Sequence, residues 1–216
     1  TFHGLCNRLL RAHYREAGLP QTFQILDSGD QLSMVKRLLK NLNIDDEKFP
    51  PRELCHFINA NKEQGIRAAQ AEAYDGYTQK RVELYAEYET QCNREGVVDF
   101  AELLLRCYEL INRNEPLRKH YQERFRYILV DEFQDTNRLQ YSWLQLLAGG
   151  GAKVFAVGDD DQSIYGFRGA EVGNMRDFER DYAGQNIIRL EQNYRSHGNI
   201  LAAANALIKN NRERLG

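Results

Sequence analysis

The chain has 216 residues, 42% hydrophobic and 28% charged, with a formal net charge of −2. That length can bury one large core or two small ones, no apolar run nears the ~20 residues of a membrane-spanning helix, and no signal peptide opens it, so a cytoplasmic protein is expected. Charge is balanced on both sides of Arg126, so any nucleic-acid binding must come from local grooves and stacking rather than from bulk charge.

From residue 5 to about 125 the apolar spacing is helical. In QLSMVKRLLKNL, Leu32, Val35, Leu39 and Leu42 share one face, and Ser28 with Gln31 reads as a capping box. Pro50-Pro51 separates helices. Asp99 and Glu102 repeat the capping signal before Phe100, Leu103, Leu104, Cys107 and Ile111. No strand alternation is convincing here, and an all-α domain over 1–125 is expected. The four cysteines, Cys6, Cys55, Cys92 and Cys107, are widely spaced and form no C-x-x-C. They read as reduced packing residues rather than zinc ligands or disulfide partners.

After Arg126 the pattern turns to short apolar runs: YILV at 127–130, KVFAV at 153–157 and NIIRL at 186–190. Between the first two lies a helical stretch, RLQYSWLQLLA at 138–148, opened by Thr136 or Asn137. Buried strands alternating with helices predict a parallel sheet with crossover helices, hence an α/β fold for this part. The chain opens at Thr1 without a methionine and closes on Asn210-Asn211-Arg212-Glu213-Arg214; an interior piece of a longer protein is expected.

Each run ends in polar residues at its carboxyl end, where open parallel sheets bind ligands. YILV leads into DEFQD, and KVFAV into GDDDQSIYGFRGA. One carboxylate of Asp131-Glu132 can hold a hydrated Mg²⁺ while the other orients and deprotonates a water. A lone Asp-Glu pair is commonly just a solvated strand end; a second acidic strand end beside it favours chemistry.

DEFQD at 131–135, GDDDQSIYGFRGA at 158–170, QNYRS at 192–196 and TFHG at 1–4 resemble motifs II, III, IV and Ib of the superfamily 1 DNA helicases. The likeness is to the bacterial UvrD/PcrA/Rep group, and QILDSGDQL and NILAAANALI resemble its UvrD branch. The resemblance implies a helical insertion domain at 1–125 with motif Ib at its start, which in such helicases helps bind duplex DNA. It implies the C-terminal part of a first RecA-like P-loop motor domain at 126–191, and the start of a second motor domain at 192–216.

By the same resemblance Asp131 helps hold Mg²⁺, Glu132 activates the attacking water, and Gln162 senses the γ-phosphate of ATP. Tyr194 stacks on the adenine, and Arg195 serves as an arginine finger, a role that a planar guanidinium suits. Tyr165, Phe167 and Arg168 line the single-stranded DNA path, with Phe167 standing where the family usually has Trp. Thr1 and His3 contact DNA phosphates. No G-x-x-x-x-G-K-[ST] phosphate loop occurs in the sequence, so the chain alone is expected to be inactive.

The function implied is that of an ATP-dependent 3′→5′ DNA helicase of DNA repair, acting on single-stranded DNA and single/double-strand junctions, with ATP and Mg²⁺ as cofactors and repair proteins as further partners. Two other readings stay open. One is a Rep-like or nuclease-associated relative; the other is a DNA- or protein-binding module with no activity of its own.

Overall fold

The protein is described from a computed structural model, which covers residues 1–164, 166, 170, 171, 173–184 and 186–210. Helix α1, Phe2–Ala12, is followed by β1, Gln24–Ile25, then α2, Ser28–Asn41, α3, Pro51–Glu63, and α4, Gly76–Glu95. Next come β2, Val97–Val98, α5, Phe100–Arg113, and α6, Glu115–Arg124. The last part holds β3, Tyr127–Val130, α7, Arg138–Ala148, β4, Lys153–Ala156, α8, Gly173–Phe178, and α9, Gly198–Ile208.

Local chemistry sets the helix ends. The capping box of α2 starts one residue before the expected one: Asp27 accepts from the Asp30 amide at 2.8 Å and Asp30 accepts from the Asp27 amide at 3.4 Å. Gln31 is instead buried and donates to Asn59 Oδ1 at 2.8 Å. Asp99 caps α5 as expected, accepting from the Glu102 amide at 2.7 Å. Asn137 rather than Thr136 caps α7, in a reciprocal box with Gln140.

The helical part is not purely α. β1 and β2 pair in parallel, Gln24 with Val97 and Ile25 with Val98. Two-residue strands are too short to show alternation, so the sequence pattern could not reveal them. Gly96 makes the pairing possible: it ends α4 at φ +67, and a Cβ there would stand 2.7 Å from Pro20 Cγ.

Three clusters form the core. The first unites α1, α5, α6 and α7 through Cys6, Leu10, Leu104, Cys107, Leu110 and Trp143. The second joins α2, α3 and α4 through Val35, Leu39, Leu54, Ile58, Tyr85 and Tyr88. The third packs Val130, Phe133, Tyr141 and Leu144 beneath the second sheet. Cys6, Cys92 and Cys107 are buried free thiols.

Ion pairs stitch the helical part from inside. Lys62, 1% exposed, donates to Asp99 Oδ2 at 2.7 Å and lies 2.9 Å from Glu102 Oε2. Glu102 also pairs with Arg67 at 2.8 Å and Arg106 at 2.6 Å. Burial alone would push the Glu102 carboxyl up, but Lys62, Arg67 and Arg106 hold it well below the usual carboxylate range. Burial likewise opposes the charge on Lys62, and Glu102 and Asp99 more than reverse that, raising it above the ordinary lysine value.

In the last part β3 and β4 run parallel, Leu129 opposite Phe155, with α7 as the crossover the sequence predicts. One sheet face is open: Leu129 is 77% and Phe155 56% exposed. Residues 186–190, expected as a third strand, form none. Ile187, Ile188 and Leu190 stay exposed, and a cavity of about 670 Å³ lies between 186–189 and β4, so the run makes no ladder with that strand. Among the described residues no helix is long and apolar enough to cross a membrane.

Candidate functional site

Side by side, β3 and β4 end in polar loops, and the ladder continues one step past each strand. Val157 donates to the Val130 carbonyl at 2.8 Å and Phe133 donates to the Val157 carbonyl at 2.9 Å. Between these bonds the chain turns outward at Asp131 and Glu132, both exposed.

Glu132 adopts φ +51 and ψ +46, the left-handed region. For a non-glycine residue that costs of order 1–3 kcal/mol and persists only where surroundings over-determine it. The constraints are visible. The Glu132 amide donates to Asp131 Oδ1 at 3.0 Å, the Asp135 amide donates to the Glu132 carbonyl at 3.0 Å, and Glu132 Oε2 accepts from Gln134 Nε2 at 2.7 Å. A short 3₁₀ turn, Phe133–Asp135, follows.

Gln134 is 2% exposed and reaches both strand ends, because its Oε1 accepts from the Asp159 amide at 3.1 Å. The approach is close, since a Cβ on Gly158 would lie 3.0 Å from that oxygen. Asp159 in turn accepts from Gln162 Nε2 at 2.6 Å through Oδ2 and from the Asp161 amide at 3.0 Å through Oδ1. Gln162 closes the turn Asp160–Gln162 and is exposed. A continuous set of contacts thus runs from Glu132 through Gln134 and Asp159 to Gln162.

Of the residues singled out by sequence, the structure brings together Asp131, Glu132 and Gln162. Tyr194, 91% exposed, and Arg195 stand apart in a turn where Asn193 Oδ1 accepts from the Arg195 and Ser196 amides at 2.9 and 3.0 Å. Among the described residues neither side chain bonds to Asp131, Glu132 or Gln162. Tyr165, Phe167 and Arg168 lie outside the described residues.

At the other end Thr1 has a structural task, capping α1 by accepting from the Gly4 amide at 3.2 Å. His3 is half-buried against Phe100, ring centroids 6.0 Å apart at 70°, and burial pushes its imidazole down. Phe100, expected on the buried face of α5, is 52% exposed. As the first helical residue it lies at the helix edge, and its place beside His3 was not legible from spacing.

Sequence alone also passed over the ties that hold these loops. Asn174, buried on α8, donates to the Thr136 carbonyl at 2.9 Å. Tyr141 and Gln145 of α7 both donate to Asp181 Oδ2, at 2.7 and 3.0 Å. Only the partner, far along the chain, gives such residues a role.

For Mg²⁺ the donor set fits. The cation favours one or two carboxylates plus waters and phosphate oxygens over an all-protein cage. Asp131 and Glu132 offer exposed oxygens, and Asp135 Oδ1 is buried without a hydrogen-bond partner among the described residues. No group of three or more His, Cys, Asp or Glu among the described residues could hold a metal by itself.

Residues 1–183 match the model of the UvrD/REP helicase N-terminal domain. The chain is 55% identical over 217 residues to DNA helicase II of Escherichia coli (strain K12), covering 100% of this chain and 30% of that protein. It is 52% identical, with the same coverage, to DNA helicase II of Haemophilus influenzae. To the ATP-dependent DNA helicase PcrA of Staphylococcus aureus (strain Mu50) it is 44% identical over 216 residues, 99% of this chain and 30% of the relative.

Proposed function

The chain belongs to the UvrD/REP helicase N-terminal domain family, and from that premise we propose that it forms part of an ATP-dependent DNA helicase in which its two neighbouring strand ends activate water and sense the nucleotide. The observation that carries this reading is the juxtaposition of Asp131 and Glu132 with Gln162 across the β3–β4 ladder, joined through Gln134 and Asp159.

Bound Mg²⁺ and ATP would supply the electrophilic phosphorus and part of the charge neutralisation. Asp131 holds the cation's water shell. Glu132, turned outward by its left-handed backbone, takes the proton of the attacking water. Gln162 offers an amide, able both to donate to a phosphate oxygen and to accept from water. Tyr194 and Arg195 belong to this reading as adenine and γ-phosphate partners, brought to the strand ends from their exposed turn. Such an approach suits a guanidinium, which acts only where charge develops.

DNA is assigned to the loop after Gln162, with Tyr165, Phe167 and Arg168 along a single strand, and to Thr1 and His3 at the start of α1. Phe100 joins the second group: an aromatic face half open to solvent beside His3 can stack on any base. A 3′→5′ direction, action at single/double-strand junctions, a part in repair in the cytoplasm, and the division into a helical insertion at 1–125, first motor at 126–191 and second motor from 192 complete the proposal. The supports are the kinship and the ordered motifs.

The test is Glu132→Gln in a full-length protein carrying this segment. Loss of the base is expected to lower kcat for DNA-stimulated ATP hydrolysis on the order of 10²–10⁴-fold while ATP binding and melting temperature stay unchanged. Wild-type turnover in that variant would remove the reading.

A further inference from the structure

The geometry points to Gln134 as a positioning residue, one that aims the Glu132 carboxylate and ties its aim to the Asp159–Gln162 loop; the inference rests on the water-activating reading of Glu132. Three observations converge. Gln134 is 2% exposed, so its amide has little water to fall back on and must be satisfied by protein. Both ends of that amide are used, and on different strands' loops: Nε2 donates to Glu132 Oε2 at 2.7 Å, and Oε1 accepts from the Asp159 amide at 3.1 Å. The recipient of the first bond has a strained backbone, φ +51, and a long exposed side chain that would otherwise sample several rotamers.

The amide leaves Glu132 one oxygen for water. With Oε2 engaged by Nε2, Oε1 carries no protein hydrogen bond among the described residues and points the carboxylate's remaining acceptor outward. The second bond makes this aim conditional. Gly158 and Asp159 are held against Gln134 Oε1 so closely that a Cβ on Gly158 would come within 3.0 Å of it, and Asp159 also accepts from Gln162 at 2.6 Å. A nucleotide that draws Gln162 toward its phosphate therefore pulls on Asp159, and a shift of the Asp159 amide turns the Gln134 amide and with it Glu132. Sub-ångström changes at one end suffice, since misplacing a catalytic group by about 1 Å can cost on the order of 10²-fold in rate.

Two substitutions separate positioning from bridging. Gln134→Met keeps length and bulk but loses both bonds. Gln134→Glu keeps an acceptor for the Asp159 amide, but replaces the donor to Glu132 with a second carboxylate oxygen that repels it. The inference expects both variants, in a full-length protein assayed well below its melting temperature, to lower DNA-stimulated kcat by roughly 10²-fold with KM for ATP little changed; a lower melting temperature by itself is expected, because Gln134→Met leaves the Asp159 amide unpaired and Gln134→Glu buries a carboxylate. Combining Gln134→Met with Gln162→Ala is expected to cost much less than the product of the two single losses, because both lie on one connection.

If Gln134 merely bridged two loops, Gln134→Glu would turn over like the wild type, or both variants would lose melting temperature and KM together; either result overturns the inference, as does a fully multiplicative double variant. Glu132→Gln is run alongside. An inactive Glu132→Gln with normally active Gln134 variants sinks the positioning role alone, whereas an active Glu132→Gln sinks the parent reading and the inference with it.

Discussion

The two parts of the molecule use the same residue types to opposite ends. In the helical part charges face inward: Lys62, Asp99 and Glu102 are buried and satisfy one another. At the sheet the carboxylates of Asp131 and Glu132 face outward, and Glu132, in its left-handed backbone, has one side-chain partner among the described residues, Gln134. Burial and partner count, rather than residue type, separate a charge that holds helices together from one available to a ligand. A reader counting acidic residues would find both regions alike.

If that contrast is sound, substitutions in the two regions should produce opposite phenotypes. Glu132→Gln has the largest expected effect, on turnover alone. Lys62→Met comes next and should do the reverse: leaving Asp99 buried without its cation, while Glu102 keeps Arg67 and Arg106, is expected to cost about 3–5 kcal/mol of stability, read as a lower denaturant midpoint. In a full-length protein measured well below its melting temperature, Lys62→Met should keep the proposed ATPase. Equal stability in Lys62→Met and wild type would erase the distinction, as would an undamaged midpoint with lost turnover.

Acid should sharpen it further. Glu102 is held below its ordinary value in the folded protein, so its contribution is fully present above the unfolded value of about 4.3 and is lost as pH falls toward the lower folded value. Stability measured from pH 7 down to 3 should therefore drop below about pH 4.3, and more steeply in the wild type than in a Lys62→Met/Glu102→Met double variant. Parallel curves would assign the acid sensitivity elsewhere.

Phe100→Ala is the smallest of these effects. Its ring is half exposed, so folding should hardly change, while single-strand affinity of a full-length protein should fall by roughly 1–3 kcal/mol, the worth of one stacked base. An unchanged affinity in a fluorescence titration would return Phe100 to the role of a packing neighbour for His3.

Much of the architecture was legible because it repeats. Leu103, Leu104, Cys107 and Ile111 recur at helical spacing and are buried as expected, and the runs at 127–130 and 153–156 pair in parallel as expected, though Tyr127, Leu129 and Phe155 are exposed where buried strands were expected. Phe100 escaped that logic because a first-turn residue need not follow the buried stripe. The run at 186–190 was expected to pair like the other two, yet a cavity lies between it and β4 and no ladder forms. At the site, Asp131 and Glu132 were singled out from their place after an apolar run and Gln162 from the resemblance, and the structure sets the three at neighbouring strand ends. Gln134 was not: its sequence neighbours say turn, and its meaning lies in an amide 25 residues away.

The left-handed backbone at Glu132 has an evolutionary corollary. Glycine would occupy that conformation without steric penalty and asparagine at reduced penalty, so the position is one where selection for heat resistance and selection for turnover pull in different directions. A laboratory population enriched only for survival on heating would be drawn toward Glu132→Gly or Glu132→Asn once a second substitution relieved the Gln134 amide of its lost acceptor, and on the proposed function would arrive at a sturdier protein without its base.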